Sequence, residues 1–264
     1  MIPAKKNRFF NAWFAGHAQK RIQHSFAKVL VHGLDAAKKT AEQAPVLVIS
    51  NHVCWWDPLV ALAISQLWLQ CDGHALMDAK NLRRLPFFSL IGAFGVDLEN
   101  PADGAASIKY AARLLNQPRR LLWVFPQGRE RPAHLRPLGF RPGSAEIARV
   151  AKQALTLPVG LSYAFCGEEK PYLYVSFGEA LKAERDTQKG LLAQEQAVAH
   201  ELARIQKAME NAADGLGDGP FECRHQRPPS RMGAWAEQML AWMTRPLSGI
   251  KALPSQTERR LPPR

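Results

Sequence analysis

Six short apolar runs punctuate the chain: VLVIS (46–50), HALMDA (74–79), FGVDL (94–98), LLWVFP (121–126), LPVGLSYAF (157–165) and YLYVSF (172–177). Between them, near 58–70, 105–116, 142–154 and 188–213, lie longer stretches in which Ala, Leu, Lys and Gln recur at helix-compatible spacing. The runs are short and rich in β-branched and aromatic residues, which favours strands, whereas the intervening stretches favour helices. Alternation of this kind has few folded solutions. The expected fold is α/β, a single domain with a central, mostly parallel mixed sheet flanked by helices, plus amphipathic terminal helices. At 264 residues the chain is long enough to bury such a core.

The formal charge of +12 becomes informative once it is located. Residues 1–44 hold 8 basic and 2 acidic side chains, residues 45–223 hold 19 of each, and residues 224–264 again hold 8 and 2. All of the excess therefore lies at the ends, which predicts three parts: a basic amphipathic N-terminal segment over 1–44, a charge-neutral body over 45–223, and a basic C-terminal segment over 224–264 whose Pro/Arg tail reads as disordered. A nucleic-acid-binding domain carries its basic stripe on the folded body, so nucleic acid is not the expected partner. Basic flanks with aromatic residues suit an anionic membrane surface. No run approaches the roughly 18 apolar residues of a spanning helix. The four cysteines, at 54, 71, 166 and 223, have no metal-like spacing and no signal peptide precedes them, so they read as reduced thiols of a cytoplasmic protein bound peripherally to the membrane.

On a helical wheel over 8–31, Phe9, Phe10, Trp13 and Phe14 share one face with His17, Lys20, Arg21, His24 and Lys28, while Ile22, Phe26, Val29 and Leu30 lie opposite. Over 231–245 the face of Met232, Trp235, Met239, Trp242 and Met243 is cleaner. Two readings stand for each segment: an interfacial helix, or a face that packs on the body.

The stretch VISNHVCWWDPLVAL (48–62) places His52 and Asp57 where a strand gives way to a helix opened by Pro58. Ligands and catalytic groups gather at the carboxyl ends of strands in open α/β sheets. A carboxylate that fixes one imidazole nitrogen leaves the other free to take a proton from a hydroxyl. The spacing alone does not separate this from a core turn that contains a histidine. Cys54, two residues from His52, points to the other side and reads as a packed thiol.

Further blocks follow in order: Lys80, then LPFFSLIGAFGVD (85–97), FPQGRE (125–130), FRPGSAEIA (140–148) and LPVG (157–160). Over roughly residues 45–180 this order resembles the glycerolipid acyltransferases, whose best-known members are the lysophosphatidic acid (1-acylglycerol-3-phosphate) acyltransferases. The resemblance implies that His52 is the general base for an acceptor hydroxyl, Asp57 its orienter, and Asn51 and Lys80 supporting residues. It also implies that Gln127, Gly128, Arg129, Arg131 and Arg141 bind the acceptor and its phosphate. The partners so implied are an acyl thioester of coenzyme A or acyl carrier protein as donor and a lipid acceptor, with no metal and no redox cofactor. The chain departs from the usual pattern at four places: Leu98 stands for an arginine, Gln127 for the glutamate of FPEG, Arg129-Glu130 for Thr-Arg, and Leu161 for a second proline. An arginine grips phosphate bidentately, so the loss at 98 must be met by Arg129, Arg131 or Arg141 if the acceptor carries one.

Overall fold

The computed structural model describes residues 1–97, 100–228 and 239. Eight strands form one sheet: β1 (Lys28–His32), β2 (Val46–Ser50), β3 (Asp72–Asp78), β4 (Ala93–Val96), β5 (Arg120–Val124), β6 (Leu155–Ala164), β7 (Tyr172–Phe177) and β8 (Glu222–Gln226), in the spatial order β4-β3-β5-β2-β6-β7-β1-β8. Five of the seven pairings are parallel; β6–β7 and β1–β8 are antiparallel. The fold is the expected α/β one with a mixed, mostly parallel sheet.

Helices α1 (Arg8–Ser25), α2 (Leu34–Gln43), α3 (Asp57–Ala63), α4 (Ala79–Arg84), α5 (Pro101–Leu114), α6 (Gly143–Val150) and α7 (Thr187–Ala213) complete the domain. A π-helical turn at Ile64–Trp68 extends α3, and a 3-10 helix at Pro86–Ile91 precedes β4. Strand alternation divides the core. Val46, Val48 and Trp123 pack with Ile22 of α1, Ala37 of α2 and Val60 of α3, while Leu47, Ile49 and Val124 pack with Ala111 of α5, Ile147 of α6 and Val198 of α7. Because both faces are covered, β2 is buried at every position, and its sequence is a continuous apolar run rather than an alternating one.

The N-terminal segment departs from expectation. The helix ends at Ser25, where Phe26 turns extended (φ −109, ψ 138), and Lys28–His32 pairs parallel with β7 and antiparallel with β8. Val29 and Leu30 are therefore strand residues rather than part of a helix face, and the folded body draws on residues 28–44 as well as 45–223. The run KVLVH is β-branched and finds ladder partners on both sides, which outweighs the helical period that precedes it. At the other boundary β8 runs through residue 223 to Gln226.

Helix α1 itself docks by Asn11, Ala15, Ala18 and Ile22, spaced to share one face. The opposite side leaves Phe9 at 89% and Trp13 at 64% of full exposure. Before it, an extended arm bridges Ile2 to Gly95 and covers the edge of β4. The amphipathic stretch 231–245, apart from Met239, the tail beyond it and Leu98 lie outside the described residues.

Candidate active site

Chain order places the site. β2 lies in the middle of the sheet beside β5 and β6, so the turns that leave these three strands meet at their carboxyl ends. Residues 51–56 make the turn after β2, and Asp57 opens α3 with Pro58 behind it. Asn51 is buried and clamps that turn to β6: its amide donates to the Leu161 carbonyl at 2.8 Å and accepts from the Leu161 N–H at 2.9 Å. A proline at 161 would have no N–H to give, so the leucine found there matches this clamp.

Asp57 is fully buried and every oxygen is occupied. Its Oδ2 accepts from His52 Nδ1 at 2.6 Å and from the backbone N–H groups of Val53 (2.6 Å) and Cys54 (3.1 Å). Its Oδ1 accepts from the Tyr163 hydroxyl at 2.6 Å. Burial, and next the Asp57 charge, push the Tyr163 phenol well above its ordinary range, so it stays a neutral donor. Nothing in the sequence marks Tyr163. It lies 106 residues from Asp57 on an ordinary-looking strand, and only the sheet order brings the two together.

A carboxylate so held fixes the imidazole with Nδ1–H toward Asp57 and leaves Nε2 as the available nitrogen. The His52 ring stacks on Phe125 (centroids 4.7 Å apart) and its side chain is 21% exposed. Its backbone is gripped as well: the His52 N–H donates to Gln127 Oε1 at 2.6 Å, and the His52 carbonyl accepts from the Arg131 N–H at 2.8 Å. Burial pushes the Cys54 thiol up to about 11, which keeps it protonated at neutral pH and agrees with its reading as a packed thiol. Of the paired tryptophans, Trp56 packs edge-on against Phe26, whereas Trp55 is exposed; the Arg21 guanidinium lies 5.6 Å from the Trp55 ring.

His52 lines a cavity of about 540 Å³. Leu62, Met77, Phe88, Ile91, Ile108 and Ile147 give it an apolar wall, and Gly128, Arg129 and Arg141 line it too. Gly128 sits at φ +68, a left-handed conformation suited to glycine, and a Cβ there would meet the Arg141 guanidinium at 3.3 Å. The FPQG and FRPG blocks therefore converge: the Arg141 guanidinium lies against Gly128, while the Arg141 N–H is tied to the Pro126 carbonyl at 2.9 Å.

Not every residue expected in the acceptor site faces the cavity. Gln127 is buried, with Oε1 on the His52 N–H and Nε2 donating to the Leu138 carbonyl at 3.0 Å. Arg131 donates to the same Leu138 carbonyl at 2.6 Å, bracing residues 131–139. Both are scaffold beneath the histidine rather than cavity lining, because their polar atoms are turned inward to close a loop. An amide at 127 serves this better than a carboxylate, since one end must accept and the other donate. Lys80 is exposed on the first turn of α4 and is not part of the cavity wall.

A sequence profile of the Acyltransferase family matches residues 28–162, from β1 into β6, and takes in His52, Asp57, Gln127 to Arg131 and Arg141, while Tyr163 falls one residue beyond it. The chain belongs to that family. It is also similar to a Caenorhabditis elegans protein provisionally named 1-acyl-sn-glycerol-3-phosphate acyltransferase acl-2, at 29% identity over 164 residues, which are 57% of this chain and 54% of that protein. The match thus spans about half the length of that relative. The acyltransferase profile begins at β1, where the sheet also begins, inside the segment that its charge had set apart.

Proposed function

We propose that this acyltransferase moves a fatty acyl group from a thioester donor, coenzyme A or acyl carrier protein, to a hydroxyl of a lipid acceptor, with lysophosphatidic acid as the favoured acceptor. The observation that carries the reading is His52, held by Asp57 through Nδ1 and backed by Tyr163, at the wall of an apolar cavity that two arginines also line. In this mechanism Nε2 of His52 takes the proton of the acceptor hydroxyl as its oxygen attacks the thioester carbonyl. The tetrahedral intermediate then collapses, the C–S bond breaks, and the thiolate leaves with the proton from His52. Asp57 keeps the tautomer and steadies the imidazolium between the two transfers.

Arg129 and Arg141 are the candidates to bind the acceptor phosphate, and the apolar wall suits hydrocarbon. Gln127 and Arg131 act beneath them as scaffold.

The exposed Phe9, Trp13 and Trp55, with Arg21 beside Trp55, form an aromatic and basic surface on the α1 side. That surface supports peripheral attachment to the anionic cytoplasmic face of a membrane. No helix among the described residues is long and apolar enough to cross a membrane.

A panel of lysolipid acceptors, each offered with labelled acyl-CoA and labelled acyl carrier protein, tests the assignment. Transfer to lysophosphatidic acid that exceeds transfer to neutral lysolipids is expected. Transfer only to acceptors without phosphate would remove lysophosphatidic acid, and the departures at Leu98, Gln127 and Glu130 would then mark a different lipid acceptor.

A further inference from the structure

Among the polar side chains of the cavity wall that the mechanism does not use, two are buried without a hydrogen-bond partner among the described residues. His74 on β3 is only 7% exposed and Ser107 on α5 only 1%, and both line the cavity. Neither ring nitrogen of His74 and not the Ser107 Oγ has a hydrogen-bond partner among the described residues. His74 Nε2 lies 3.8 Å from Asp72 Oδ1, within ion-pair range but too long for a good hydrogen bond, and His74 is the first cause that holds the Asp72 carboxyl below its usual range; Nδ1 has no such neighbour among the described residues. Asp72 is already engaged by Lys6 and Arg120.

The two groups share a side and a depth. Alternation along β3 puts His74 on the same face as Leu76, which packs in the α5 layer beside Ile108 and Ala111. Helix α5 starts just after β4, at the carboxyl end of the sheet, and runs back down. Ser107 lies six residues into it, about 9 Å below its start at 1.5 Å per residue. His74 lies four residues before the end of β3, about 13 Å down at 3.3 Å per residue. Both are roughly 10 Å below the strand ends from which His52 projects.

Buried polar groups are rarely left unpaired, and a plain hydrocarbon chain in the arm of the cavity that these two residues line would leave them without a hydrogen bond. We propose that this arm is a subsite for a lipid chain that carries an oxygen function, a hydroxyl or an oxo group, part-way along its length. A neutral imidazole offers one donor and one acceptor, and the serine hydroxyl offers both. Together they complement an alcohol or a ketone, and the distance from the strand ends sets that oxygen well away from the carbonyl that reacts. The inference rests on reading the cavity as the lipid-chain pocket of the acyltransferase.

The test is calorimetric binding of stearate, 10-hydroxystearate and 12-hydroxystearate to the full chain, beside the same titrations on Ser107→Ala and on the double variant His74→Leu, Ser107→Ala, each checked for its fold by circular dichroism. The wild type is expected to bind at least one hydroxystearate about tenfold tighter than stearate, the worth of one satisfied buried hydrogen bond. The preference should shrink in Ser107→Ala and reverse in the double variant; if the double variant does not fold, the single one decides. Stearate bound as well as or better than both hydroxystearates by the wild type overturns the proposal and assigns the polar pair to buried water, while the chain-pocket reading survives. If no fatty acid binds, the chain-pocket reading and the proposal fall together.

Discussion

Tyr163→Phe isolates the part of the site that only the fold reveals. The substitution keeps the ring that packs 5.6 Å from Phe26 and removes one atom, the hydroxyl that donates to Asp57 Oδ1 at 2.6 Å. No cavity opens, so the cost is the hydrogen bond alone. A hydrogen bond to a charged group contributes about 1.5–3 kcal/mol. Asp57 is fully buried, so water cannot readily replace the lost donor. The full amount should therefore appear as lost stability, which for a chain of this size lowers Tm by about 2–4 °C per kcal/mol. Asp57 Oδ2 keeps its three donors, so the carboxylate loosens without leaving His52. The rate should fall about tenfold through kcat, because Tyr163 steadies the orienter and is not among the residues that line the cavity. Steady-state acyl transfer and urea unfolding on the same preparation check both numbers. A variant whose stability and kcat are both unchanged would refute the reasoning, and would mean that Tyr163 is only a neighbour of the pair.

Three further perturbations separate scaffold from reading surface. Gln127→Leu strands the part-buried His52 N–H and removes the buried donor to the Leu138 carbonyl, and should cost about 1–3 kcal/mol in urea unfolding, whereas Arg141→Met should leave stability alone and raise KM for a phosphate-bearing acceptor. Gly128→Ala forces a side chain into a left-handed backbone and against the Arg141 guanidinium; it should raise the same KM and destabilise by about 1 kcal/mol. Cys54, with its thiol pushed up to about 11, should alkylate slowly at neutral pH in a Cys223→Ser background, and its rate should rise about tenfold per pH unit toward that value as thiolate forms. Rapid, pH-independent labelling of Cys54 would contradict the buried environment described for it.

The legible parts of the fold were those in which one physical pressure acts alone. The runs at 46–50, 121–126 and 172–177 are buried on both faces, and double burial leaves an unbroken apolar string. β1 was hidden because KVLVH continues the basic, helical stretch before it, and its ladder partners come from residues 172–176 and 222–226. β8, ECRHQ, is largely exposed at the sheet edge and carries no hydropathy signal. At the site, the link from His52 to Asp57 is local and could be read directly. The roles of Gln127 and Arg131 could not, because a motif position does not say which way its side chain turns. Here both turn inward to hold His52 and the loop beyond it.

The central claim is that His52 is the base for acyl transfer, and the most direct measurement is the transfer rate of a folded His52→Ala protein with acyl thioester and its best acceptor. The side chain is at the surface of the cavity and its backbone anchors to Gln127 and Arg131 do not depend on the imidazole, so the fold should survive. Loss of a general base predicts a fall of about 10²–10⁴ in kcat. A His52→Ala protein with an unchanged circular dichroism spectrum and wild-type transfer would contradict the account.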